Sequence, residues 1–542
     1  MKYIIIIIIG LLTSTFIFSQ KDSTKLDIKQ VEVIKSFEAT LEEANFIPVA
    51  PIMLVAPAFN PKYEYDISIV PLELQYPDPQ IKPLAMNPDE PFIVKKGYLY
   101  AGYGFRKNPD VKLGYHVIKK DRYDAGIHLG YESLDNSTNV PFQKYRDAGA
   151  ALYGNYLLKE NLKLYGHINT QFLSRNMYHT DLGVDTLYSD AESNRSINGL
   201  KITAGIANPE PTRFNINYDV RVTLRNMSIT QQDARDNGFG LMAMANKSFG
   251  KSTVLEVQAG YDYSAFNSTK DVSLSTAFVT PTFKTKIKNL TFDLGLDVLY
   301  SSDENSALFP EVMISYGLLG QKIQVFGEVL QDYHTNTFTQ VSPRNPFLNT
   351  QMDSITNSVW RQYAAGLKGK FSFLTYQVKG GYKDVNNQMF LLNNHTDRRL
   401  FDMVYDDMSV IFISGNVDFV FSDRYTFGGW LTQNIYNPST LAHAWHLPNL
   451  EANAYATAGF LDKRLILRAD LFFGNGVHFI NKNDVITQSN VLFDLNVEAN
   501  YAITSHFRIF AKGINLLDNQ FERYYGYPSI GINGMAGIKW VF

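Results

Sequence analysis

Two histidines spaced three residues apart are the first pair in this chain that could carry chemistry. His443 and His446 stand in a His-Ala-Trp-His run, and imidazole nitrogens are common ligands of transition metals. A protein metal site usually needs a further ligand, and the surrounding sequence offers neither an acid nor a third histidine. We therefore expect an exposed loop with two histidines, and no metal site.

Acidic residues gather at two further places. Asp233 and Asp236 stand beside Asn237, and Asp406 is followed by Asp407. Carboxylate and amide oxygens suit calcium, but neither spacing is that of an EF-hand loop. We predict solvated acidic loops at both places.

The chain offers no recognisable catalytic constellation. It has no cysteine, which excludes disulfides, thiolate metal sites and cysteine nucleophiles. Gly102 and Gly104 flank a tyrosine, and no helix follows that would make them a phosphate loop. Serines are scattered without a spacing that indicates a hydrolase. We predict that the protein is not an enzyme and has no cofactor.

The composition indicates a membrane β-barrel. The chain has 542 residues, 50 Lys and Arg, 53 Asp and Glu, and a net charge of -3. It contains no basic run, so we expect no nucleic-acid partner. Phe and Tyr number 37 and 33, yet the mean hydropathy is -0.17, too polar for a helical membrane protein. Strands with one face in lipid and one in a wet lumen reconcile these values.

Alternating apolar and polar residues dominate the chain from Gly97 to Phe542. Between Arg213 and Arg225, every second residue from Phe214 to Leu224 is apolar, so a strand would place these residues on one face. Similar runs recur farther along the chain. The polar residues that we predict to line the lumen are Arg213, Asp219, Arg221, Arg225, Asp293, Asp297, Arg464, Arg468 and Asp470.

Strand length distinguishes a membrane barrel from a soluble β-sandwich. Sandwich strands usually run about 5–6 residues, whereas the alternating segments here run about 10–14, enough for a tilted strand to cross a bilayer. We predict an all-β fold, a transmembrane antiparallel outer-membrane β-barrel of about 22 strands over residues 97–542.

The connections between these strands alternate between short and long. Short turns follow the even-numbered strands, and bacterial barrels place such turns in the periplasm and the long loops outside. The predicted long loops run from Ser174 to Ser196, Ser228 to Asn237, Thr335 to Asn357, Asn387 to Tyr405, Tyr436 to Leu447, Gly476 to Gln488 and Leu517 to Ser529.

Two N-terminal segments precede the barrel. Residues 1–20 contain Lys2 and an apolar run from Ile4 to Leu12, the pattern of a signal peptide. Residues 21–96 are rich in proline, with ten of the 21 prolines between Pro48 and Pro91. Proline opposes long helices and central strands, so we expect extended chain in the periplasm or the barrel lumen.

The end of the chain resembles the end of a TonB-dependent receptor. The matching run extends from Phe507 to Phe542 and contains Ile-Asn-Leu-Leu-Asp from Ile514, Tyr-Tyr-Gly-Tyr-Pro from Tyr524, and a final aromatic strand. The resemblance implies an outer-membrane transporter or pore for an unidentified solute. That family fills its barrel with a plug domain much longer than residues 21–96, so the plug here is reduced or absent.

The resemblance also implies partners. Val31, Glu32, Val33 and Ile34 loosely resemble the segment that pairs with TonB, although a short edge strand is an alternative interpretation. The expected partners are outer-membrane lipid and either TonB or another outer-membrane or periplasmic protein.

Two functions remain open at this point. The barrel could transport a solute of the kind handled by TonB-dependent receptors. It could instead be a plug-less structural or accessory subunit of an outer-membrane complex, because an unplugged barrel of this size would leak.

We predict that the signal segment is removed on export. The mature chain should begin near Lys21 and fractionate with the outer membrane. N-terminal sequencing of the membrane-inserted protein tests this, and a retained Met1 would refute it.

Overall fold

The computed structural model describes residues 95–119, 122–158, 161–182, 189–230 and 233–542. Residues 1–20, residues 21–94 and the TonB-contact candidates Val31, Glu32, Val33 and Ile34 lie outside this part. The signal peptide, the periplasmic or lumenal segment and the TonB contact therefore stay predictions.

Twenty-two strands form one sheet. They are β1 Gly97–Gly104, β2 Asn108–Lys119, β3 Tyr123–Asp135, β4 Lys144–Leu158, β5 Leu162–Asn176, β6 Asn194–Ala207, β7 Ile216–Ile229, β8 Ala234–Phe249, β9 Thr253–Asn267, β10 Asp271–Ile287, β11 Leu290–Ser301, β12 Ala307–Gly317, β13 Gln324–Thr335, β14 Asn357–Lys370, β15 Leu374–Asn393, β16 Phe401–Val420, β17 Tyr425–Pro438, β18 Leu450–Phe460, β19 Leu465–Gly474, β22 Leu492–Ala502, β23 Phe507–Ile514 and β26 Asn533–Val541.

The remaining elements are short. Two loop hairpins pair β20 His478–Ile480 with β21 Ile486–Gln488, and β24 Glu522–Tyr524 with β25 Tyr527–Pro528. A 3-10 turn covers Thr180–Leu182, and the single-turn helices α1 and α2 cover Asp190–Ser193 and Phe338–Val341. In the described part of the chain, no helix is long and apolar enough to cross a membrane.

Sequential strands pair antiparallel, and the first strand pairs with the last. Tyr98 stands opposite Val541 and Gly104 opposite Met535, so the sheet closes into a barrel. The predicted barrel of about 22 strands is confirmed. The predicted terminal strand is also confirmed, as β26.

The strand register sorts the side chains into two faces. Residues directly opposite each other point to the same side of a sheet. When the register is followed around the barrel, seven of the predicted lumen residues share one face: Asp219, Arg221, Arg225, Asp293, Asp297, Arg468 and Asp470. The other face exposes apolar residues such as Val222 and Leu224, as a lipid contact requires.

Two predicted lumen residues lie in turns instead. Arg213 precedes β7, which begins at Ile216, because the Thr212 hydroxyl accepts hydrogen bonds from the backbone N–H groups of Phe214 and Ile216. These bonds form a turn that the alternating pattern concealed.

Arg464 likewise precedes its strand, β19, which begins at Leu465. Three consecutive residues before Arg464, from Leu461 to Lys463, have positive φ, so the backbone cannot be extended there.

The connection lengths largely follow the predicted alternation, with two errors. Only four residues separate Ile229 from Ala234, so the predicted long loop from Ser228 to Asn237 is wrong. The predicted loop from Asn387 to Tyr405 is mostly strand, since β15 and β16 are each 20 residues long. A bulge after Val385 shifts the register of this strand pair. The alternation of apolar and polar residues is interrupted there, so the strands could not be followed farther in the sequence.

We predict opposite effects from neighbouring substitutions on β11. Leu294→Arg puts a charge on the lipid face and should cost ~2–4 kcal/mol near the bilayer midplane. Asp293→Ala changes the polar face and should cost much less. Unfolding by urea in lipid vesicles measures both, and equal destabilisation would contradict the assigned faces.

Candidate functional site

Buried apolar side chains gather at the barrel end that carries the long connections. We call this group the loop cluster. The strands contribute Leu173, Ile197, Met227, Ile229, Ala234, Phe266, Leu274, Leu391 and Phe401, and the connections contribute Phe338, Val341, Leu348, Met352, Ile355 and Tyr527. The residues from β5 to β10 lie on the polar face of the sheet, near the strand ends. The inner wall therefore changes from polar to apolar at this end.

Ring contacts join connections from distant parts of the barrel. Phe266 of β9 lies 5.5 Å from Phe338, which follows β13. Phe347 of the same connection stacks on Tyr527, at 4.1 Å between ring centroids. Tyr527 precedes β26 and also meets Tyr178, which follows β5, at 4.9 Å. Strands so far apart in the circuit can be linked this closely only across the barrel end.

Hydrogen bonds between the connections add to this packing. The Tyr527 hydroxyl donates to the Arg399 carbonyl at 2.6 Å. The Tyr525 hydroxyl donates to the Asp181 carboxylate at 2.7 Å and accepts from the backbone N–H of Lys482 at 3.0 Å. Three long connections thus meet at one tyrosine, so the loops fold inward as one unit.

Asp236 supports this unit, contrary to the prediction of a solvated acidic loop. It is buried on β8 and accepts from the backbone N–H of Thr339 at 2.8 Å and from its hydroxyl at 2.7 Å. Ser264 donates to the same carboxylate. The carboxylate thereby binds the start of α2 to the barrel wall.

Asp406 has a similar role, so the solvated-loop prediction was wrong there too. It lies on β16 and accepts from the backbone N–H groups of Thr440 and Leu441, each at 2.9 Å. The carboxylate fixes the connection after β17 to its neighbouring hairpin.

The two histidines of the His-Ala-Trp-His run point to different partners. His446 is buried, and His443 stacks on His478 at 4.2 Å between ring centroids. The predicted exposed loop is therefore wrong for His446. Within the described residues, no group of three or more His, Asp or Glu could hold a metal ion.

Hydrogen bonds fix the protonation of His446. Its Nδ1 lies 2.7 Å from the Leu391 carbonyl, which can only accept, and its Nε2 lies 3.4 Å from the backbone N–H of Tyr525, which can only donate. The ring must therefore be neutral, with its proton on Nδ1. Burial lowers the pKa of His446 to about 4, which agrees with this arrangement.

The charged residues of the polar face are mostly paired with one another. Arg225 binds both oxygens of Asp262 at 2.6 and 2.7 Å, and Arg468 binds Asp470 in the same bidentate way. Asp297 accepts from Gln331 at 2.7 Å. Sequence analysis missed the partners Asp262 and Gln331, because they come from other strands. Contact of this face with a solute stays a prediction.

Asn515 is a further residue that sequence analysis underestimated. It is buried, has a φ of 48°, and donates from its side chain to the carbonyls of Asn519 and Ile530, each at 3.0 Å. It therefore joins the start of the connection between β23 and β26 to its end near Ile530. The sequence feature that could have indicated this role is the position of Asn515 in the Ile-Asn-Leu-Leu-Asp run.

Comparison with solved structures identifies this architecture. The FrpB iron transporter from Neisseria meningitidis superposes with a TM-score of 0.67 at 9% identity, covering 83% of this chain and 82% of that one. The siderophore receptor PirA from Acinetobacter baumannii gives 0.65 at 10% identity, over 83% and 80%. The ferripyoverdine receptor of the Pseudomonas aeruginosa outer membrane gives 0.61 at 10%, over 84% and 72%.

The barrel has the TonB-dependent receptor fold. The predicted resemblance and the outer-membrane barrel are confirmed at the level of fold. No family model and no curated protein matches the sequence. Because the sequence identity is only about a tenth, the similarity shows a shared barrel fold and does not identify a ligand for this chain.

The neutral state of His446 predicts a pH effect. A histidine in the unfolded chain has a pKa of about 6.5, whereas the folded pKa is about 4. Between pH 6.5 and pH 4 the unfolded chain binds more protons than the folded chain. The free energy of unfolding is therefore highest above pH 6.5 and decreases as the pH falls towards 4. The loss should be on the order of 3 kcal/mol.

Glutamine at position 446 keeps a donor and an acceptor but does not titrate. His446→Gln should therefore reduce the stability difference between pH 7 and pH 4, measured by urea unfolding in detergent. His395→Gln, at an exposed loop position, is the control and should behave as wild type. An unchanged pH dependence in His446→Gln would contradict the assignment.

Proposed function

We propose that the protein is an outer-membrane transporter whose outer entrance is covered by its own loop cluster. The observation that carries this proposal is the chain of contacts from Phe266 through Phe338 and Phe347 to Tyr527, across the barrel end. A solute would enter when these loops separate and would then pass along the polar face.

The structural neighbours support transport over an enzymatic role. FrpB is an iron transporter and PirA is a siderophore receptor, and the match covers 82% and 80% of their chains. The solute of this chain stays unidentified. Energy coupling through Val31, Glu32, Val33 and Ile34 also stays a prediction.

The alternative, an accessory subunit, rested on the leak expected of a wide barrel without a complete plug. Loops that fold inward would also prevent this leak, so the absence of a complete plug does not exclude a transport function. The polar face, which includes the Arg225–Asp262 ion pair, is of the kind that lines a water-filled barrel interior.

Opening the loop cluster by substitution tests the proposal. Phe338→Ala with Tyr527→Ala removes two buried rings, each worth about 3–5 kcal/mol of packing. The double variant should raise conductance in planar bilayers and should admit a large hydrophilic antibiotic into cells. Phe214→Ala, at an exposed turn position, should leave both at the wild-type level.

A high ion conductance of the wild-type protein in planar bilayers would contradict the proposal that the loop cluster covers the entrance. The same measurements after deletion of residues 21–91, in both backgrounds, separate the loops from the N-terminal segment. If the double variant conducts no more than wild type even with this deletion, the loop cluster does not control the path.

A further inference from the structure

A cavity lies between two neighbouring turns at the end of the barrel that carries the short connections. One turn joins Phe460 of β18 to Leu465 of β19, and the other joins Ala502 of β22 to Phe507 of β23. The cavity has a volume of about 330 Å³, within the range of small-molecule pockets. Bacterial barrels place their short turns in the periplasm, so this cavity lies at the opposite end from the loop cluster.

The strand register places two arginines on either side of one alanine. Ala502 stands opposite Arg508 in the β22–β23 pairing. On its other side, the Ala502 N–H donates to the Arg464 carbonyl at 2.7 Å, one residue beyond the pair of Leu465 with Tyr501. Opposite residues point to the same side of a sheet, and all three of these residues line the cavity. The small methyl group of Ala502 therefore leaves a gap between the two arginine side chains.

The other two charged residues that line the cavity are already paired. Lys463 forms an ion pair with Asp423, and Asp462 accepts from the Arg424 guanidinium at 2.8 Å. Both partners belong to the turn between β16 and β17. These two pairs therefore balance their own charges.

Arg464 and Arg508 differ from these paired residues. Both are exposed, and within the described part of the chain neither side chain has a hydrogen bond or an ion pair. Lys539 stands opposite Arg508 but is itself paired with Glu498 at 2.6 Å. The cavity therefore keeps two positive charges, one on each side of Ala502.

Thr504 supplies a further hydrogen-bond donor to the cavity. Its hydroxyl oxygen accepts from the backbone N–H groups of His506 at 3.2 Å and Phe507 at 3.0 Å. These two bonds fix a side chain that lines the cavity. They also use the acceptor capacity of the hydroxyl, so its hydrogen is available to an oxygen atom of a ligand.

We propose that this cavity binds one phosphate group between Arg464 and Arg508. Each guanidinium fork suits two oxygens of a phosphate. A tetrahedral anion directs oxygens towards both arginines and Thr504 at once, whereas a planar carboxylate has only two oxygens for these three donors.

Two sources carry this phosphate chemistry. One is a free phosphate ion or a small phosphorylated solute at the short-turn end of the barrel. The other is a phospholipid headgroup, because Ile503 also lines the cavity and is 52% exposed. Neither source depends on the loop cluster at the other end of the barrel, so this site can be tested independently of the proposed transport function.

Ligand binding to the full chain tests this site. The purified protein, in a nonionic detergent at neutral pH and low ionic strength, is titrated in a calorimeter with inorganic phosphate, with acetate, and with dihexanoyl phosphatidylglycerol below its micelle concentration. We expect saturable binding of phosphate or of the lipid, and weaker binding of acetate. This binding should weaken as sodium chloride is added, because salt screens exposed charges.

The arms of this titration separate the two sources. Saturation by inorganic phosphate assigns the site to a free or solute phosphate, and saturation by the lipid alone assigns it to headgroups. The proposal is overturned if neither phosphate nor the lipid binds, or if acetate binds as tightly as they do.

Substitutions identify the groups that bind the anion. Arg464→Met and Arg508→Met each keep the apolar stem and remove one guanidinium, so each should weaken binding about tenfold. The double variant should not bind measurably. Ala502→Asp keeps both arginines but places a carboxylate between them, so it should also abolish binding. Arg213→Met, in the exposed turn before β7, is the control and should bind as wild type.

Two results with these variants would overturn the proposal. One is an undiminished affinity in the double variant for whichever of phosphate or the lipid saturates the wild type. The other is an equal loss in Arg213→Met, which would indicate a general response to net charge. If the double variant does not fold, an undiminished affinity in Ala502→Asp overturns the proposal instead.

Discussion

The backbone of a membrane strand has no water to bond with, so every amide and carbonyl in the hydrocarbon must pair with a neighbouring strand. This protein meets that constraint because β1 pairs with β26 and leaves no free edge. Closure also divides the side chains into two faces, with lipid on one and the enclosed space on the other. The polar face and the loop cluster both depend on that division.

The loop cluster follows from a change on the inner face. Over most of the wall that face is polar, as at Asp219 and Arg221, but near the strand ends it carries Ile197 and Phe266. Such side chains are stabilised by removal from water, and the apolar residues of the connection after β13 supply the covering surface. Tyr527 then joins this connection to two others, so packing and hydrogen bonds act on the same unit.

Local patterns predicted the barrel well and the site poorly. Period two depends on neighbouring residues, so the faces of Arg225 and Asp293 could be assigned from the sequence. Arg213 was misplaced because a turn formed by Thr212 continues the same alternation. The burial of Asp236 depends on Thr339, about a hundred residues away, and that of His446 on Leu391 and Tyr525. Such long-range contacts leave no spacing signal in a single sequence.

The connection after β13 folds inward against the barrel wall, where Phe338 meets Phe266. The chain has no cysteine, so an introduced pair can report on that contact alone. Lys270, between β9 and β10, forms an ion pair with Asp353 of this connection, and both side chains are exposed. Lys270→Cys with Asp353→Cys should therefore crosslink within one chain in intact cells, detected with a short bismaleimide by gel mobility, while each single variant does not. Free thiols throughout the double variant would contradict the inward-folded loop.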